Sequence, residues 1–190
     1  PQADGGEIYL TDTVELAVAQ GWPCIAVEGS WIEGQGVNTQ AQLAAVAGMF
    51  QARRRAELLA AGVIMEAPET VFLAADTVVG PGAVIEPFVV FGPGVTVEAE
   101  AVVRAHSHLT GADVGRGAEI GPFVRLRPGV VIGERAKLGN FVEAKNSRLA
   151  AGAKASHLSY LGDCEVGAAA NIGAGTKTRK HRGFPKQRPP

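Results

Sequence analysis

Aromatic residues and cysteines are scarce in this 190-residue chain: aromatics make up 6% of it, and it has two cysteines, Cys24 and Cys164. The two cysteines lie far apart and lack the close spacing of metal ligands, which favours a reducing compartment over a disulfide scaffold. Glycine, by contrast, occurs 25 times. Few aromatic residues combined with much glycine is typical of a fold with many tight turns and thin layers of small side chains.

An excess of charge and long apolar runs are also missing. Lysine and arginine number 18 against 19 acidic residues, a formal net charge of −1, so no global field points to nucleic acid or an anionic membrane. No apolar run reaches the ~18 residues of a membrane span, and the first residues, PQADGGEIYLTD, lack the basic-then-apolar order of a signal peptide. The sequence therefore predicts a cytoplasmic protein with neither membrane nor nucleic acid as partner.

Residues 1–38 contain patterns of two kinds. TDTVELAVAQG predicts a short amphipathic helix ending at Gly21, and PCIAVEG predicts a short strand. A segment of this length is too small to hold a hydrophobic core of its own. We therefore expect a small α/β remnant of a larger domain over 1–38.

The stretch TQAQLAAVAGMFQARRRAELLAAG predicts a long helix over 39–62. Either Asn38 or Thr39 can serve as its N-cap, and Gly62 marks its end. The apolar stripe of this helix includes Leu43, Val46, Phe50 and the segment from Ala56 to Leu59. We interpret it as a linker helix.

From Val63 onward, apolar residues recur every six positions. After a one-residue slip the series resumes, and its members through both parts are Leu73, Val79, Ile85, Phe91, Val97, Val103, Leu109, Val114, Ile120, Leu126, Ile132 and Leu138. A period of six fits neither an α-helix nor a two-faced strand. It fits a short strand plus a turn, three of which close one coil around inward apolar residues. The sequence predicts a mainly β fold, a parallel β-helix over 63–176 with about six coils of about 18 residues.

Seven stretches, in this order along the chain, resemble one family closely: GEIYLTD, EGQGVNTQAQLA, RRRAELLAAGVIM, IGPFVRLRPG, LGNFVEAKNSRL, SHLSYLGDCEVG and NIGAGT. The family is that of the bacterial bifunctional N-acetylglucosamine-1-phosphate uridylyltransferase / glucosamine-1-phosphate N-acetyltransferases. The resemblance implies a left-handed β-helix, a homotrimer, and 1–38 as the end of a nucleotidyltransferase domain. It also implies acetyl transfer from acetyl-CoA to glucosamine 1-phosphate, on the way to UDP-N-acetylglucosamine for peptidoglycan and lipopolysaccharide.

Acetyl transfer to an amine needs a base near the nucleophile, and histidine suits that role near neutral pH. His157 lies two residues after the inward Ala155, and Tyr160 lies one before the inward Leu161, so neither occupies a core position. From the residues alone, an exposed surface histidine is an equally good interpretation. The resemblance implies that His157 is the catalytic base and that Tyr160 contacts the sugar phosphate.

Arg127 and Lys145 fall between inward positions, so both side chains should project outward. Permanent cations suit a sugar phosphate, although solvated surface charges are the alternative interpretation. The resemblance implies that both bind glucosamine 1-phosphate together with Asn171 and Lys186. It further implies that the backbone of Ala174 meets acetyl-CoA.

Two metal hypotheses arise. His106 and His108 are two apart and could share a strand face, but no third ligand is apparent, so we expect no zinc. The resemblance implies that Asn38 helps hold Mg²⁺ in the family's uridylyltransferase site, and a helix cap is the alternative. The other parts of that site would precede Pro1, and a lone asparagine cannot hold Mg²⁺. We therefore expect no uridylyl transfer from UTP by this chain.

The resemblance breaks after NIGAGT, where 177–190 read as a basic, truncated or divergent tail. Lys180, His181 and Arg182 stand where the family has asparagine, tyrosine and aspartate. Cys164 sits at a small-residue position and is interpreted as part of the wall. Three alternatives to acetyl transfer onto glucosamine 1-phosphate stay open: a non-catalytic trimeric scaffold, another hexapeptide acyltransferase, and a metal-dependent lyase of the same fold.

Overall fold

The computed structural model describes residues 9–178, which divide into two units at Val46. In the first unit, helix α1 (Asp12–Ala19) has no buried residue. The strand predicted at PCIAVEG is wrong, because residues 23–29 form no strand and Ile25 and Val27 are 87% and 83% exposed. A strand needs the edge of another strand to pair with, and the described residues of this unit supply none.

Helix α2 (Gln40–Ala60) is fixed at both ends by local hydrogen bonds. The Thr39 hydroxyl accepts from the Gln42 N–H at 3.2 Å, and the Gln42 amide oxygen accepts from the Thr39 N–H at 3.0 Å. This reciprocal pair is a capping box. At the other end Gly62 has φ +89°, and the Val63 N–H donates to the Leu58 carbonyl, which is the αL termination that favours glycine.

The second unit is a solenoid in which successive coils contribute one short strand each to three parallel sheets. The first sheet consists of β1 (Ile64–Met65), β3 (Val84–Ile85), β6 (Val102–Val103), β9 (Glu119–Ile120), β12 (Lys137–Leu138), β15 (Lys154–Ala155) and β18 (Asn171–Ile172). The second sheet consists of β4 (Val90–Phe91), β7 (His108–Leu109), β10 (Arg125–Leu126), β13 (Glu143–Lys145) and β16 (Tyr160–Gly162). The third sheet consists of β2 (Val78–Val79), β5 (Thr96–Val97), β8 (Ala112–Val114), β11 (Val130–Ile132), β14 (Arg148–Leu149) and β17 (Glu165–Val166). The predicted mainly β, hexapeptide-repeat β-helix with a long preceding helix is confirmed.

The core is a column of the apolar residues that recur every six positions. Ile85, Ile120 and Leu138 are fully buried and stack within the first sheet, where each coil repeats the position of the one before. Coils differ in length by a single residue. Arg125 pairs with His108 on the coil before and with Glu143 on the coil after, and the step along the chain to His108 is one residue shorter than the step to Glu143. A corner that is one residue shorter therefore explains each one-residue slip in the sequence pattern.

The second half of α2 covers the open edge of the first coil. The Gln51 amide donates to the Leu73 carbonyl at 2.7 Å and accepts from the Leu73 N–H at 2.9 Å. Arg54 and Arg55 donate to the carbonyls of Thr77 and Val71, while the side chain of Leu58 is buried in the core. Elsewhere in the solenoid a neighbouring coil forms hydrogen bonds with such backbone groups. At the first coil the side chains of α2 form them instead.

Candidate functional site

Two basic side chains lie next to each other on the outer face of the second sheet. Arg127 directly follows β10, and its N–H donates to the Ala144 carbonyl at 2.9 Å, which places it level with Lys145 on β13. The Arg127 guanidinium also donates to the Glu143 carboxylate at 3.1 Å. Because Ala144 points into the core, both Glu143 and Lys145 point outward. The cluster therefore presents two cations, one of them paired with a carboxylate.

Tyr160 joins this cluster because Gly162 has no side chain. Tyr160 is the first residue of β16 and is paired in register with Glu143, while Gly162 is paired with Lys145. A Cβ on Gly162 would lie 2.6 Å from Tyr160 Cε1 and 2.8 Å from its hydroxyl oxygen. The ring thus lies flat over Gly162 and reaches the strand position level with Lys145. A hydroxyl donor and two cations then share one surface.

His157 lies at the corner between β15 and β16, where its ring is exposed. Its Nδ1 is 2.9 Å from Oδ1 of Asn140, which occupies the same corner one coil earlier. The ring borders a groove of about 330 Å³ on the side of the first sheet. An exposed imidazole beside a groove, held through one nitrogen, has its other nitrogen free to act on a bound molecule.

The floor of this groove is backbone. Gly139 and Ser156, which line the groove, hold equivalent positions on successive coils of the first sheet. A Cβ added to Gly139 would overlap the Ser156 carbonyl oxygen and would lie 3.1 Å from Ser156 Cα. The absence of that side chain lets the coils approach and leaves the space beside His157 open.

The wall of the groove is a ladder of ion pairs. Arg104 donates to Glu86 at 3.0 Å and to Glu119 at 2.6 Å, and Lys137 lies 3.0 Å from the other oxygen of Glu119. Burial alone would raise the pKa of Glu119, but the hydrogen bonds from Arg104 and Lys137 outweigh it and hold this pKa below its ordinary value. The hydrogen bond to Glu119 raises the pKa of Arg104. The positive and negative charges of the wall are therefore paired with one another.

The predicted site residues fall into two groups. Arg127, Lys145 and Tyr160 share the second sheet, whereas His157 borders the groove across the corner that joins the two sheets. One chain thus does not gather these four side chains in a single hollow. The reason is that a coil turns between its strands, so residues before and after a corner face different directions.

The remaining predicted residues are also separated. Asn171 begins β18 on the first sheet, on the coil that follows His157. Ala174 is exposed in the next turn, where the Gly175 N–H donates to the Leu158 carbonyl at 3.0 Å and brings Ala174 close to the His157 corner. Lys186 lies outside the described residues. Asn38 is exposed in the first unit, where Gln42 accepts from its backbone N–H.

The histidines considered for zinc have separate surroundings. The His106 ring stacks between Phe88 and Phe123, at 5.0 Å from each centroid, and His108 lies on the outer face of the second sheet. Within 9–178 no group of three or more His, Cys, Asp or Glu side chains could hold a metal ion. Asn38 alone, an exposed amide, does not fit Mg²⁺, which is held by carboxylates and phosphates.

Sequence reasoning missed Asn140, Glu143 and Gly139. Asn140 could have been found, because it precedes His157 by one coil length and occupies the same position in the repeat. Glu143 is hidden in the sequence by its small separation from Lys145, which suggests an ordinary surface pair.

Among the described residues no helix is long and apolar enough to cross a membrane.

Comparison with known proteins shows what the repeat region and the whole chain are similar to. Residues 76–111 and 111–146 match the family of bacterial transferase hexapeptide proteins (six repeats). The chain is 52% identical over 183 residues to the bifunctional protein GlmU of Azorhizobium caulinodans, covering 96% of this chain and 41% of that protein. It is 55% identical over 181 residues to the GlmU protein of Caulobacter vibrioides, covering 95% of this chain and 39% of that protein.

Among solved structures, the acetyltransferase domain of PglB from Neisseria gonorrhoeae in complex with acetyl coenzyme A matches with a TM-score of 0.47 and 18% identity, over 80% of this chain and 87% of that one. A likeness at this level supports no functional argument. The chain spans about two fifths of the length of the curated relatives it matches. Over nearly its whole length, therefore, the chain is similar to one part of the bifunctional GlmU proteins, and its residues 76–146 match the bacterial transferase hexapeptide repeats.

Proposed function

We propose that this chain catalyses acetyl transfer from acetyl-CoA to the amine of glucosamine 1-phosphate, in the pathway to UDP-N-acetylglucosamine. The observation that carries the proposal is His157, exposed beside a groove and held through Nδ1 by a neutral amide. The family resemblance and the homology to GlmU proteins support the choice of acyl donor and acceptor. We propose that it acts in the cytoplasm.

The mechanism is a direct attack. The neutral amine of the sugar attacks the thioester carbon while Nε2 of His157 takes one of its protons. The tetrahedral intermediate then collapses and the carbon–sulfur bond breaks. The coenzyme A thiolate leaves with the proton that His157 took from the amine, which returns His157 to its neutral form. Backbone amides near Ala174 stabilise the oxyanion. No covalent enzyme intermediate is needed.

The sugar phosphate binds to the cluster on the second sheet. Arg127 supplies a planar fork and Lys145 a point charge for the phosphate, and Tyr160 donates from the neighbouring strand. We include Asn171 and Lys186 as further contacts to the sugar phosphate. The ion pair of Arg127 with Glu143 at 3.1 Å orients the guanidinium before the substrate arrives.

The partner is a second and a third copy of the chain. We propose a homotrimer in which the Arg127 cluster of one copy faces the His157 groove of another. This arrangement accounts for the placement of the two halves on different sheets of one chain. The division of the chain into 1–38, 39–62, 63–176 and 177–190 remains part of the proposal. UTP and Mg²⁺ belong to the parent bifunctional enzyme, and no step here uses them.

The test is coenzyme A release with glucosamine 1-phosphate, using wild type, His157→Ala and His108→Ala. We expect His157→Ala to lower kcat at least about a hundredfold, since a general base contributes that much. His108→Ala is the matched control, because His108 is also exposed on the solenoid but lies on β7, two strands away from Lys145 and Glu143 on β13 and outside the lining of the groove beside His157. Equal activity of wild type and His157→Ala would refute the assigned base.

A non-catalytic trimeric scaffold is the second candidate. It is favoured by the pairing of Arg127 with Glu143 and by the separation of His157 from the cations within one chain. A scaffold would form the trimer in sedimentation and release no coenzyme A. Coenzyme A release by wild type that depends on glucosamine 1-phosphate would exclude this candidate.

A further inference from the structure

Asn140 holds the His157 corner through both its backbone and its side chain. Its carbonyl accepts from the Leu158 N–H at 3.1 Å, and its Oδ1 lies 2.9 Å from His157 Nδ1. Asn140 itself is half-buried and follows Gly139 on the groove floor. The Nδ1 side of the histidine ring is therefore attached to the coil before its own.

The chemistry of this contact determines which ring nitrogen of His157 carries the hydrogen. An amide oxygen can only accept a hydrogen bond, so the Nδ1 that meets it must carry the hydrogen. A neutral imidazole with hydrogen on Nδ1 has its lone pair on Nε2. We propose that Asn140 is a positioning residue that holds His157 in the Nδ1–H tautomer and so leaves Nε2 as the proton acceptor. Its catalytic consequence rests on the function proposed above, but the tautomer itself does not.

The neutrality of Asn140 matters as much as its position. A carboxylate at the same place would orient the ring equally well but would also stabilise the imidazolium. The titratable and charged groups around the corner are Arg104, Glu119 and Lys137 in the groove wall, and Lys154 and Tyr160 on its flanking strands. On the following coil, residues 173–175 carry no charge. Glu119 is engaged by two cations, so no free carboxylate in the groove wall competes for the histidine.

The direct test is NMR of the full chain labelled with ¹⁵N-histidine, in which the two ring nitrogens report the tautomer. We expect wild-type His157 to carry its hydrogen on Nδ1 and Asn140→Ala to shift it toward the Nε2–H form. The resonances are assigned by their loss in His157→Ala. Asn146→Ala is the matched control, since Asn146 also lies at a corner but donates to Asp163. An unchanged His157 tautomer in Asn140→Ala would overturn the proposal.

Kinetics give the second readout. We expect Asn140→Ala to lower kcat about tenfold to a hundredfold while changing KM for glucosamine 1-phosphate less than twofold, because the sugar contacts lie elsewhere. Asn140→Asp restores the acceptor and adds a negative charge, so the acid limb of its kcat–pH profile should move up by about one pH unit. The same acid limb in Asn140→Asp and wild type would count against a positioning role.

The two proposals fail in different ways. If wild type releases no coenzyme A, the acetyl-transfer proposal fails, while the NMR tautomer still decides the role of Asn140. If wild type is active and Asn140→Ala has both the wild-type tautomer and the wild-type kcat, the positioning role fails alone. Thermal unfolding followed by circular dichroism checks that Asn140→Ala and Asn140→Asp retain the fold.

Discussion

Gly139 is a position in the groove floor where one methyl group has no room. A Cβ there would overlap the backbone carbonyl of Ser156, and a backbone atom cannot turn away as a flexible side chain can. We expect Gly139→Ala to force the coils apart, to lower the free energy of unfolding by about 1–3 kcal/mol, and to displace the adjacent His157. Urea unfolding and coenzyme A release measure the two effects.

Gly167→Ala is the control for this substitution. Gly167 also directly follows an inward residue, Val166, yet a Cβ at that position meets nothing within 4 Å. Its unfolding midpoint should stay close to that of wild type. If both variants unfold alike, the close approach of Gly139 to the next coil has no energetic importance.

Much of the candidate site could be predicted from the sequence, because the inward register shows which side chains point outward. Arg127, Lys145 and Tyr160 flank inward positions, and the structure places all three on one outer surface. The separation of His157 from them could not be predicted. It depends on which corner a residue occupies, and coils of unequal length blur that count along the sequence.

Among the elements, α2 stabilises the solenoid through a side chain that imitates a strand. Gln51 both donates to and accepts from Leu73, as a neighbouring backbone would. We expect Gln51→Ala to leave two backbone groups without partners, to lower the free energy of unfolding by about 2 kcal/mol, and to promote association through the freed edge. Urea unfolding and light scattering at increasing protein concentration measure these effects.

Gln40→Ala serves as the control for the Gln51 prediction, since it makes the same change at the exposed first residue of the same helix. If the two variants match in both stability and scattering, Gln51 does not protect the edge of the first coil. The contact itself could not be predicted from the sequence. The apolar pattern in α2 predicted a stripe in which Leu58 is indeed buried but Leu43 is 49% exposed. It gave no sign of the polar contacts that Gln51, Arg54 and Arg55 make to the first coil.

The strands of the β-helix were predicted correctly, whereas the strand predicted at PCIAVEG is wrong, and the difference lies in whether a neighbouring strand is present. The six-residue period was sufficient for the β-helix because each coil supplies the pairing edge for the next. PCIAVEG carries strand-forming residues as well, but strand propensity without a partner edge does not make a strand. Local pattern therefore predicts structure where the repeat guarantees a neighbour, and fails where it does not.

For the whole solenoid, the ladder from Glu86 through Arg104 and Glu119 to Lys137 ties four successive coils together. Glu119 has its pKa held below the ordinary value, so its contribution to stability is fully present above the unfolded pKa, about 4. That contribution is lost as the pH falls through the folded pKa. The raised pKa of Arg104 lies far above neutrality and adds no pH dependence in this range.

Replacing Glu119 with glutamine should therefore remove a specific part of the acid sensitivity. We expect Glu119→Gln to lower the free energy of unfolding by about 1 kcal/mol at pH 7, because solvent still reaches this half-buried ion-pair network and screens it. The variant should also lose less stability than wild type between pH 5 and about 3. Glu134→Gln is the control, since Glu134 pairs only with its chain neighbour Arg135 among the ion pairs of the described residues. Urea unfolding at each pH compares the three proteins. Parallel stability curves for Glu119→Gln and wild type would show that the ladder does not link acid pH to the stability of the solenoid.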